Sequence, residues 1–156
     1  MNIALIGSTG LIGSEIYSQL DDKYNVTRFG RNAQNDKFLY ISDANSIDSS
    51  DLSGYDTLIH CAGITDEQFK ENPERAFYQG TYCTSILMNL AIKYGIEKII
   101  YFSTAHVYGS FKNHVSENTS PNPLSSYSIT HYSTEQLIKS ITSDSKTYSL
   151  IIRPNA

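Results

Sequence analysis

The part of the chain best suited to bind a ligand lies near its N-terminus, where glycine recurs at every third position. The segment reads Gly7-Ser8-Thr9-Gly10-Leu11-Ile12-Gly13. Gly7 would permit a tight turn, Gly10 would let the backbone approach a pyrophosphate, and Gly13 would let a helix pack closely on a strand. An ordinary glycine-rich turn is the alternative, because a short motif also occurs by chance.

Pyrophosphate binding requires this segment to join a strand to a helix, since the free N–H groups and partial positive charge of a helix N-terminus face the phosphates. In the flanking sequence, short apolar segments alternate with longer segments of helical period. That pattern is typical of βαβ units in a doubly wound, parallel α/β sheet of the Rossmann type. The predicted strands are Asn2–Ile6, Asn25–Phe29, Phe38–Ile41, Thr57–Cys61, Lys98–Ser103 and Ser149–Arg153.

Apolar residues at helical spacing predict three helices that pack on this sheet. The predicted sheet-facing residues are Leu11, Ile12, Ile16 and Leu20 in the first helix, Ile86, Leu87, Leu90 and Ala91 in the second, and Ile129, Leu137, Ile138 and Ile141 in the third. The Ser- and Asp-rich segment Asp43–Leu52 is expected to form a short helix or a loop.

The composition of the 156 residues narrows the possible functions. A chain of this length folds around one hydrophobic core, and no apolar run is long enough to span a bilayer. The net charge of −4 without a Lys/Arg cluster argues against nucleic-acid binding and favours a small-molecule ligand. Cys61 and Cys83 lack metal-binding spacing, so no metal site is indicated and both are expected to be buried free thiols of a cytoplasmic protein. His60, inside a predicted strand, is expected to be a core residue.

Three later segments carry motifs that accompany such a glycine segment in one protein family. They are Leu58-Ile59-His60-Cys61-Ala62-Gly63, Tyr101-Phe102-Ser103-Thr104-Ala105-His106-Val107-Tyr108-Gly109 and Tyr127-Ser128-Ile129-Thr130-His131. With these motifs the whole chain resembles the extended short-chain dehydrogenase/reductase family, which contains the nucleotide-sugar epimerases, dehydratases and reductases. The resemblance implies that a dinucleotide lies across the carboxyl ends of the strands, where the strand order reverses.

The resemblance also implies how the chain is organised. Because the family continues beyond its sixth strand, residues 1–156 would form the NAD(P)-binding domain, and the substrate-binding part would be largely absent. Family members pair through the helices that here contain Leu87–Ala91 and Tyr132–Ile141, so a homodimer is expected. Tyr82, Ile92 and Tyr132 are the candidates for an exposed apolar patch on these helices.

The catalytic roles that the resemblance implies fall on Thr104, Tyr127 and His131. Tyr127 would exchange a proton with the substrate oxygen, and Thr104 would hydrogen-bond that oxygen. The family has Lys where this sequence has His131, which still shares a helical face with Tyr127. A Lys cation favours the phenolate, whereas an imidazole is ordinarily mostly neutral above pH 7. His131 is therefore expected either to orient Tyr127 and the nicotinamide ribose, or to be a polar helix residue in a protein that has lost catalysis.

Cofactor selectivity in the family is set at the end of the second strand, where an acidic residue usually binds the adenine ribose of NAD. Gly30 has no side chain for that ribose and Arg31 could pair with a 2′-phosphate, so NADP is favoured over NAD. Asp43 resembles the acidic residue that accepts from the adenine amine, although it could equally cap a helix. The expected cofactor-binding residues are Gly7, Thr9, Gly10, Leu11, Ile12, Gly13, Arg31, Asp43, Ala62, Gly63, Tyr127 and His131.

Two further departures from the family pattern bear on the reaction. Alignment places Gly80 where the family often has an Asn near the active site. Ala105 and His106 occupy the positions where sugar dehydratases carry Asp and Glu, so elimination of water lacks its proton donor and acceptor. The expected function is that of an NAD(P)-dependent reductase or epimerase of a nucleotide sugar. The alternatives are a non-catalytic dinucleotide-binding sensor or scaffold, and an inactive N-terminal fragment.

Overall fold

Six parallel strands form the sheet of this protein in a computed structural model, which describes residues 1–32, 34–110 and 114–155. The strands are β1 (Asn2–Ile6), β2 (Asn25–Gly30), β3 (Lys37–Phe38), β4 (Thr57–His60), β5 (Lys98–Phe102) and β6 (Tyr148–Ile152). Their order across the sheet is β3-β2-β1-β4-β5-β6, so it reverses between β1 and β4. The predicted doubly wound α/β fold is confirmed.

Helices connect the strands and cover the sheet. They are α1 (Leu11–Leu20), α2 (Ala44–Asp48), α3 (Asp66–Glu71), α4 (Pro73–Phe77), α5 (Thr84–Lys93) and α6 (Ser126–Ser143). A π-helical turn, Tyr78–Cys83, joins α4 to α5, and a 3₁₀ turn, Ala105–Tyr108, follows β5. The short α2 agrees with the expectation for the Ser- and Asp-rich segment. Within the described ranges, no helix has both the length and the apolar character needed to cross a membrane.

The central strand β1 is buried on both of its faces, because successive side chains of a strand alternate between the two sides of the sheet. Ile3 and Leu5 belong to the apolar cluster on the α1 side. Ala4 and Ile6 belong to the larger cluster on the other side, which also contains Leu87 of α5. Packing on both sides leaves the carboxyl ends of the strands as the open edge of the sheet.

The third strand is shorter than predicted. The prediction placed it at Phe38–Ile41, whereas β3 ends at Phe38. The physical reason is that the Tyr40 N–H donates to the Ser46 hydroxyl at 2.9 Å, which turns the chain toward α2 and away from the sheet. The other strands lie within one residue of their predicted bounds.

Three residues predicted to face the sheet are exposed instead. The exposed fractions are 89% for Leu11, 36% for Ile12 and 46% for Ile129. Each lies in the first turn of its helix, beyond the carboxyl edge of the sheet, where no strand lies beneath it. Ile16 and Leu20, further along α1, do pack against the sheet.

Candidate functional site

The glycine segment turns from β1 into α1 with no room for side chains at two of its positions. Gly7 has a φ of +87°, and a Cβ there would stand 2.5 Å from the Ala62 nitrogen. A Cβ on Gly13 would stand 2.1 Å from the Gly7 carbonyl oxygen. Because both neighbouring atoms are backbone, neither can yield cheaply, and α1 packs directly against the turn.

Gly10 begins α1 and leaves the N-terminus of that helix available to a ligand. The Gly10 N–H donates to the Gly7 carbonyl at 3.1 Å, and no side chain caps the helix. A Cβ on Gly10 would meet only the Gly7 oxygen, at 3.5 Å. Uncapped N–H groups at the positive end of a helix bind anions, so the turn has the chemistry to hold a phosphate.

A groove of about 480 Å³ runs along the carboxyl ends of the central strands. Six of the residues expected to bind the cofactor line it, namely Gly7, Thr9, Gly10, Arg31, Ala62 and Gly63. Leu11 and Ile12 lie on the exposed first turn of α1, and Gly13 is buried within that helix. The volume and the position at the strand-order reversal suit a dinucleotide.

The opposite wall of the groove comes from residues that sequence reasoning missed. They lie on α3, α4 and the π-helical turn and include Gln68, Asn72, Arg75 and Gln79. The patterns in this stretch, the capping box of Thr65 and Gln68 and the Pro73 that begins α4, predict helix starts and not a binding site. The sequence points to the groove only by the place of this stretch directly after Ala62-Gly63, where the chain must cross the open edge of the sheet.

The side-chain amide of Asn35 lies beside Gly30 at the end of β2, the place where the family usually has a ribose-binding acidic residue. A Cβ on Gly30 would lie 2.6 Å from the Asn35 side-chain nitrogen. Asn35 is held in place by the Ser8 hydroxyl, which donates to Oδ1 at 2.8 Å, and by its own bond to the Asn32 carbonyl at 3.1 Å. A carboxylate at position 30 would displace Asn35 from these partners.

Two arginines approach Tyr40 at this end of the groove. The Arg31 guanidinium carbon lies 5.5 Å from the Tyr40 ring centroid, and Arg75 donates to the Tyr40 hydroxyl at 3.1 Å. The hydrogen bond from Arg75 lowers the pKa of Tyr40. Neither arginine forms a salt bridge with another described residue, and Glu71 is the carboxylate among the groove residues. The groove therefore carries two positive charges here, of which the sequence indicated only Arg31.

Asp43 serves as a helix cap in this structure. Its carboxylate accepts from the Asn45 N–H at 3.0 Å at the start of α2. The preceding residue, Ser42, lines the groove, and Asp43 does not. Of the two roles considered for Asp43, the structure shows the cap.

Tyr127 and His131 lie together on the first two turns of α6. Their ring centroids are 4.7 Å apart in a T-shaped arrangement, as four-residue spacing on a helix requires. Ser125 and Ser128 form a reciprocal cap at the start of this helix. Tyr127 is half-buried and also meets the ring of Phe69 edge to face, so its position is held from two sides.

His131 lies deep in the protein and is bound to another buried side chain. Its exposed fraction is 6%, and its Nδ1 lies 2.9 Å from the Tyr101 hydroxyl. Burial lowers the pKa of His131 to about 4, although the Glu135 carboxylate acts in the opposite direction. The imidazole is therefore neutral at pH 7 and does not provide the positive charge of a lysine.

Thr104 contacts a histidine to which the sequence assigned no part in proton transfer. Thr104 is buried before the 3₁₀ turn, and its Oγ1 accepts from the His106 N–H at 3.2 Å. The same Oγ1 lies 2.9 Å from His106 Nδ1. The His106 ring is exposed and stands 5.9 Å from the Tyr127 ring, centroid to centroid. His106 thus connects Thr104 to the Tyr127–His131 pair.

A buried ion pair lies beneath Thr104, His106, Tyr127 and His131, which we call the candidate catalytic cluster. The fully buried Glu135 accepts from Arg153 at 2.9 and 2.5 Å and from the Ser103 hydroxyl at 2.5 Å. These bonds join α6 to the carboxyl ends of β5 and β6. They fix the orientation in which the start of α6 faces Thr104.

The π-helical turn approaches α6 closely at Gly80. A Cβ on Gly80 would lie 2.8 Å from Thr130 Cγ2. The Thr134 hydroxyl donates to the Gly80 carbonyl at 3.1 Å. Where the resemblance implies an Asn side chain, the backbone of this protein lies directly against two threonine side chains of α6.

His60 and Cys61, neighbours in the β4 motif, differ in how deeply they are buried. His60 is a core residue as expected, with 1% exposure, and burial lowers its pKa to about 3. Cys83 is buried, but the expectation of burial is wrong for Cys61, which is half-buried and lines the groove because it follows the last residue of β4. Partial burial nevertheless raises the pKa of the Cys61 thiol to about 12.

Two known sequences that are similar to this chain are named as sugar epimerases. A family model described as the NAD-dependent epimerase/dehydratase family matches residues 3–156. The chain is 29% identical, over 88% of its length, to the uncharacterized UDP-glucose epimerase YtcB of Bacillus subtilis (strain 168). It is 24% identical, over 88% of its length, to the N-acetyl-alpha-D-glucosaminyl-diphospho-ditrans,octacis-undecaprenol 4-epimerase of Escherichia coli O157:H7. It covers 50% and 43% of these two proteins, so it spans about half the length of the curated relatives it matches.

Solved structures with the same fold include two epimerases. The UDP-glucose 4-epimerase of Thermotoga maritima, with UDP-glucose, is 25% identical and superposes with a TM-score of 0.85. The UDP-glucuronic acid 4-epimerase of Bacillus cereus, in complex with NAD, is 26% identical with a TM-score of 0.80. Each superposition covers 98% of this chain and 55% of the other.

Proposed function

The chain belongs to the NAD-dependent epimerase/dehydratase family, and from that membership we propose that it forms the cofactor-binding part of an NAD(P)-dependent reductase or epimerase of a nucleotide sugar. One observation carries the proposal. Ala62 and Gly63 line both the large groove and a cavity of about 10 Å³ that also reaches Tyr101 and His131. A dinucleotide with its pyrophosphate at Gly10 would therefore extend toward the candidate catalytic cluster. The relatives are named for UDP sugars and a diphosphate-linked amino sugar, which supports a substrate of that class.

The proposed chemistry divides proton handling among residues of the cluster. When bound, the cofactor supplies hydride exchange with a carbinol carbon of the sugar. Tyr127 exchanges the proton of the same hydroxyl group, and Thr104 hydrogen-bonds its oxygen. His131, neutral and fixed by Tyr101, orients the Tyr127 ring. The backbone at Gly7 and Gly10 would hold the pyrophosphate, and Gly13 lets α1 pack closely enough to place its N-terminus there. The free thiols of Cys61 and Cys83 suit a reducing compartment such as the cytoplasm.

The test is reduction of the nicotinamide by a sugar, followed by absorbance and fluorescence. The protein is used in the length in which the cell makes it, with UDP-glucose, UDP-glucuronic acid and UDP-N-acetylglucosamine as probes. Tyr127→Phe should lower the rate by on the order of 10²-fold or more, because it removes the acid/base hydroxyl and leaves the ring packing. Its affinity for the cofactor should stay within about twofold of the wild-type value. Equal rates in the two proteins would remove Tyr127 from the mechanism.

A second candidate function is a dinucleotide-binding protein without catalysis. It is favoured by the low pKa of His131, since burial leaves the residue at the lysine position without charge. Tight binding of the cofactor combined with no hydride transfer from any probe would favour this candidate.

The proposal includes a preference for NADP over NAD. Arg31 and Arg75 meet at Tyr40 without a carboxylate partner in the described residues, and a 2′-phosphate there could accept charge-assisted hydrogen bonds from both. Asn35 occupies the space of a ribose-binding carboxylate. Together these contacts favour a phosphorylated over an unmodified ribose.

The proposal also includes a homodimer. Of the three candidates for an apolar patch, Tyr82 is 53% exposed, whereas Ile92 and Tyr132 are partly buried. Tyr82 stacks on Tyr78 at 5.2 Å between centroids, and the neighbouring Phe77 is 50% exposed. Three exposed aromatic rings on one turn suit a partner surface. Sedimentation at tens of micromolar should show a dimer that Tyr82→Glu converts to a monomer; a monomeric wild type would overturn this part.

A further inference from the structure

We propose that His106, in place of Tyr127, is the final acceptor of the substrate proton, which reaches it through the hydroxyl group of Thr104. The inference rests on the proposed function, because it assumes that a sugar alcohol is oxidised at the candidate catalytic cluster. In the sequence, His106 was notable only because it stands where sugar dehydratases carry an acidic residue. The structure instead places its imidazole on the hydroxyl that would bind the reacting oxygen.

The hydrogen bonds around Thr104 allow its hydroxyl hydrogen to point at the ring of His106. One lone pair of Oγ1 accepts from the His106 N–H at 3.2 Å. The hydroxyl hydrogen is then free to donate to His106 Nδ1 at 2.9 Å, which leaves the ring proton on Nε2. A hydroxyl that donates to a neutral imidazole is the arrangement by which enzymes activate serine and threonine.

A helix cap alone does not account for this geometry. A threonine that caps a 3₁₀ turn needs only the backbone N–H, and that contact is already made. The ring contact is additional, and it places the imidazole edge to face with Tyr127 at 5.9 Å. The ring is exposed, whereas Thr104 and His131 are buried, so a charge formed on His106 would be solvated. Of the two imidazoles near Tyr127, His106 is therefore the one whose ring is in contact with water.

In the proposed step the carbinol would lose a hydride, which a bound oxidised nicotinamide would accept, and its oxygen would become a carbonyl oxygen. The carbinol proton moves to Thr104 Oγ1 as the proton of that hydroxyl moves to His106 Nδ1. His106 is left as an imidazolium, and the reverse transfers return the proton. Tyr127 keeps its own proton and donates a hydrogen bond to the same oxygen, so this step replaces the direct exchange with Tyr127 in the proposed function.

The premise about the tautomer is tested first, by ¹⁵N NMR of the imidazoles in the full chain without ligands. His106 should be the Nε2–H tautomer, and Thr104→Val should abolish this preference while Thr104→Ser keeps it. A wild-type His106 that carries its proton on Nδ1 would overturn the proposal, whatever the enzyme activity.

The transfer itself is tested by single-turnover reduction of bound NADP⁺ with UDP-glucose and the other nucleotide-sugar probes. His106→Asn keeps a hydrogen-bond partner for Thr104 but cannot take its proton. We expect a loss of about 10²-fold in rate, with cofactor affinity within about twofold of wild type. The double variant with Thr104→Val should be no slower than Thr104→Val alone, because the two residues act in one path.

The outcomes separate this inference from the proposed function. If the wild type turns over and His106→Asn is unimpaired while Tyr127→Phe is inactive, the inference is wrong and the proposed function stands. If the wild type binds the cofactor but reduces it with none of the probes, the proposed function fails and the inference fails with it.

Discussion

The glycine turn and the candidate catalytic cluster lie along one open edge of the sheet, and their proposed functions depend on different properties. Pyrophosphate binding at the turn would depend on the position of the backbone, since Cβ atoms on Gly7 or Gly13 would meet backbone atoms at 2.5 and 2.1 Å. Proton transfer at the cluster would depend on the protonation of its side chains, which burial changes: His131 is buried and neutral, while His106 is exposed. Glycine spacing therefore predicts a geometry, whereas a catalytic motif predicts residues without their chemical state.

The largest loss of stability is expected when Arg153, the cation of the buried ion pair beneath the cluster, is replaced. Arg153→Met leaves the fully buried Glu135 carboxylate without its partner, and we expect a loss of about 3–5 kcal/mol in the free energy of unfolding. Urea denaturation measures it. Lys70→Met is the control, because it removes an exposed ion pair with Asp66 and should change stability little. Equal midpoints for the two variants would show that the network does not hold α6 in place.

One added methyl group at Gly13 should destabilise the glycine turn. Gly13→Ala forces a Cβ onto the Gly7 carbonyl, so α1 must move away from the sheet, at a cost of about 3 kcal/mol. Cofactor binding should be lost as the helix N-terminus shifts. Gly63→Ala is the matched control, since a Cβ there meets nothing within 4 Å, and its stability should stay within about 0.5 kcal/mol of wild type. A Gly13→Ala protein that matches this control would contradict the close packing.

NADP binding at the Tyr40 end of the groove should depend on the charge of Arg31. Arg31→Ala should weaken NADP binding by on the order of 10–100-fold and leave NAD binding unchanged, since only NADP carries the 2′-phosphate. Isothermal titration with both cofactors measures the selectivity. Lys93→Ala removes an exposed charge from α5 and should not change it. Equal NADP affinity in wild type and Arg31→Ala would show that Arg31 does not bind the 2′-phosphate.

The smallest effect is expected from the pH dependence of His131. Its pKa of about 4 in the fold lies below the value of about 6.5 in an unfolded chain. Between these values the unfolded chain binds a proton that the folded chain does not, so stability rises with pH through this window and is lost as the pH falls. The titratable groups around the ring in the fold are Tyr101, Tyr127, Glu135, His106 and His60.

His131→Gln should remove this contribution. Between pH 6.5 and 5 the variant should lose less stability than wild type, by about 1.4 kcal/mol per pH unit. Urea denaturation at pH 5, 5.8, 6.5 and 7.5 checks the difference. Parallel curves would mean that His131 titrates alike in the folded and unfolded chains.

The sequence predicted the fold well because the sheet depends on alternation and periodicity that are local to each segment. It failed for β3, where a single side chain, Ser46, competes for the Tyr40 N–H. It also failed for Leu11, because helical period does not reveal where the sheet beneath a helix ends.

The candidate site was predictable in part for a related reason. Motif spacing brought Tyr127 and His131 together on one helical face. Arg75, Asn35 and His106 were missed because their roles depend on contacts between segments distant in sequence, or on the orientation of a ring. The charge of His131 could not be read from spacing, since it depends on how deeply the ring lies in the protein.

The π-helical turn, Tyr78–Cys83, changes how relatives of this protein must be aligned. A π turn holds one residue more than an α turn, so a relative whose helix is α-helical throughout carries one residue fewer between α4 and α5. Counted back from α5, an Asn of such a relative falls on Gly80; counted forward from α4, it falls on Gln79. The Gln79 side chain lines the groove and accepts from the Ser42 hydroxyl. For a relative whose turn is α-helical, an alignment without a gap would therefore set that Asn opposite Gly80 and not opposite the Gln79 amide.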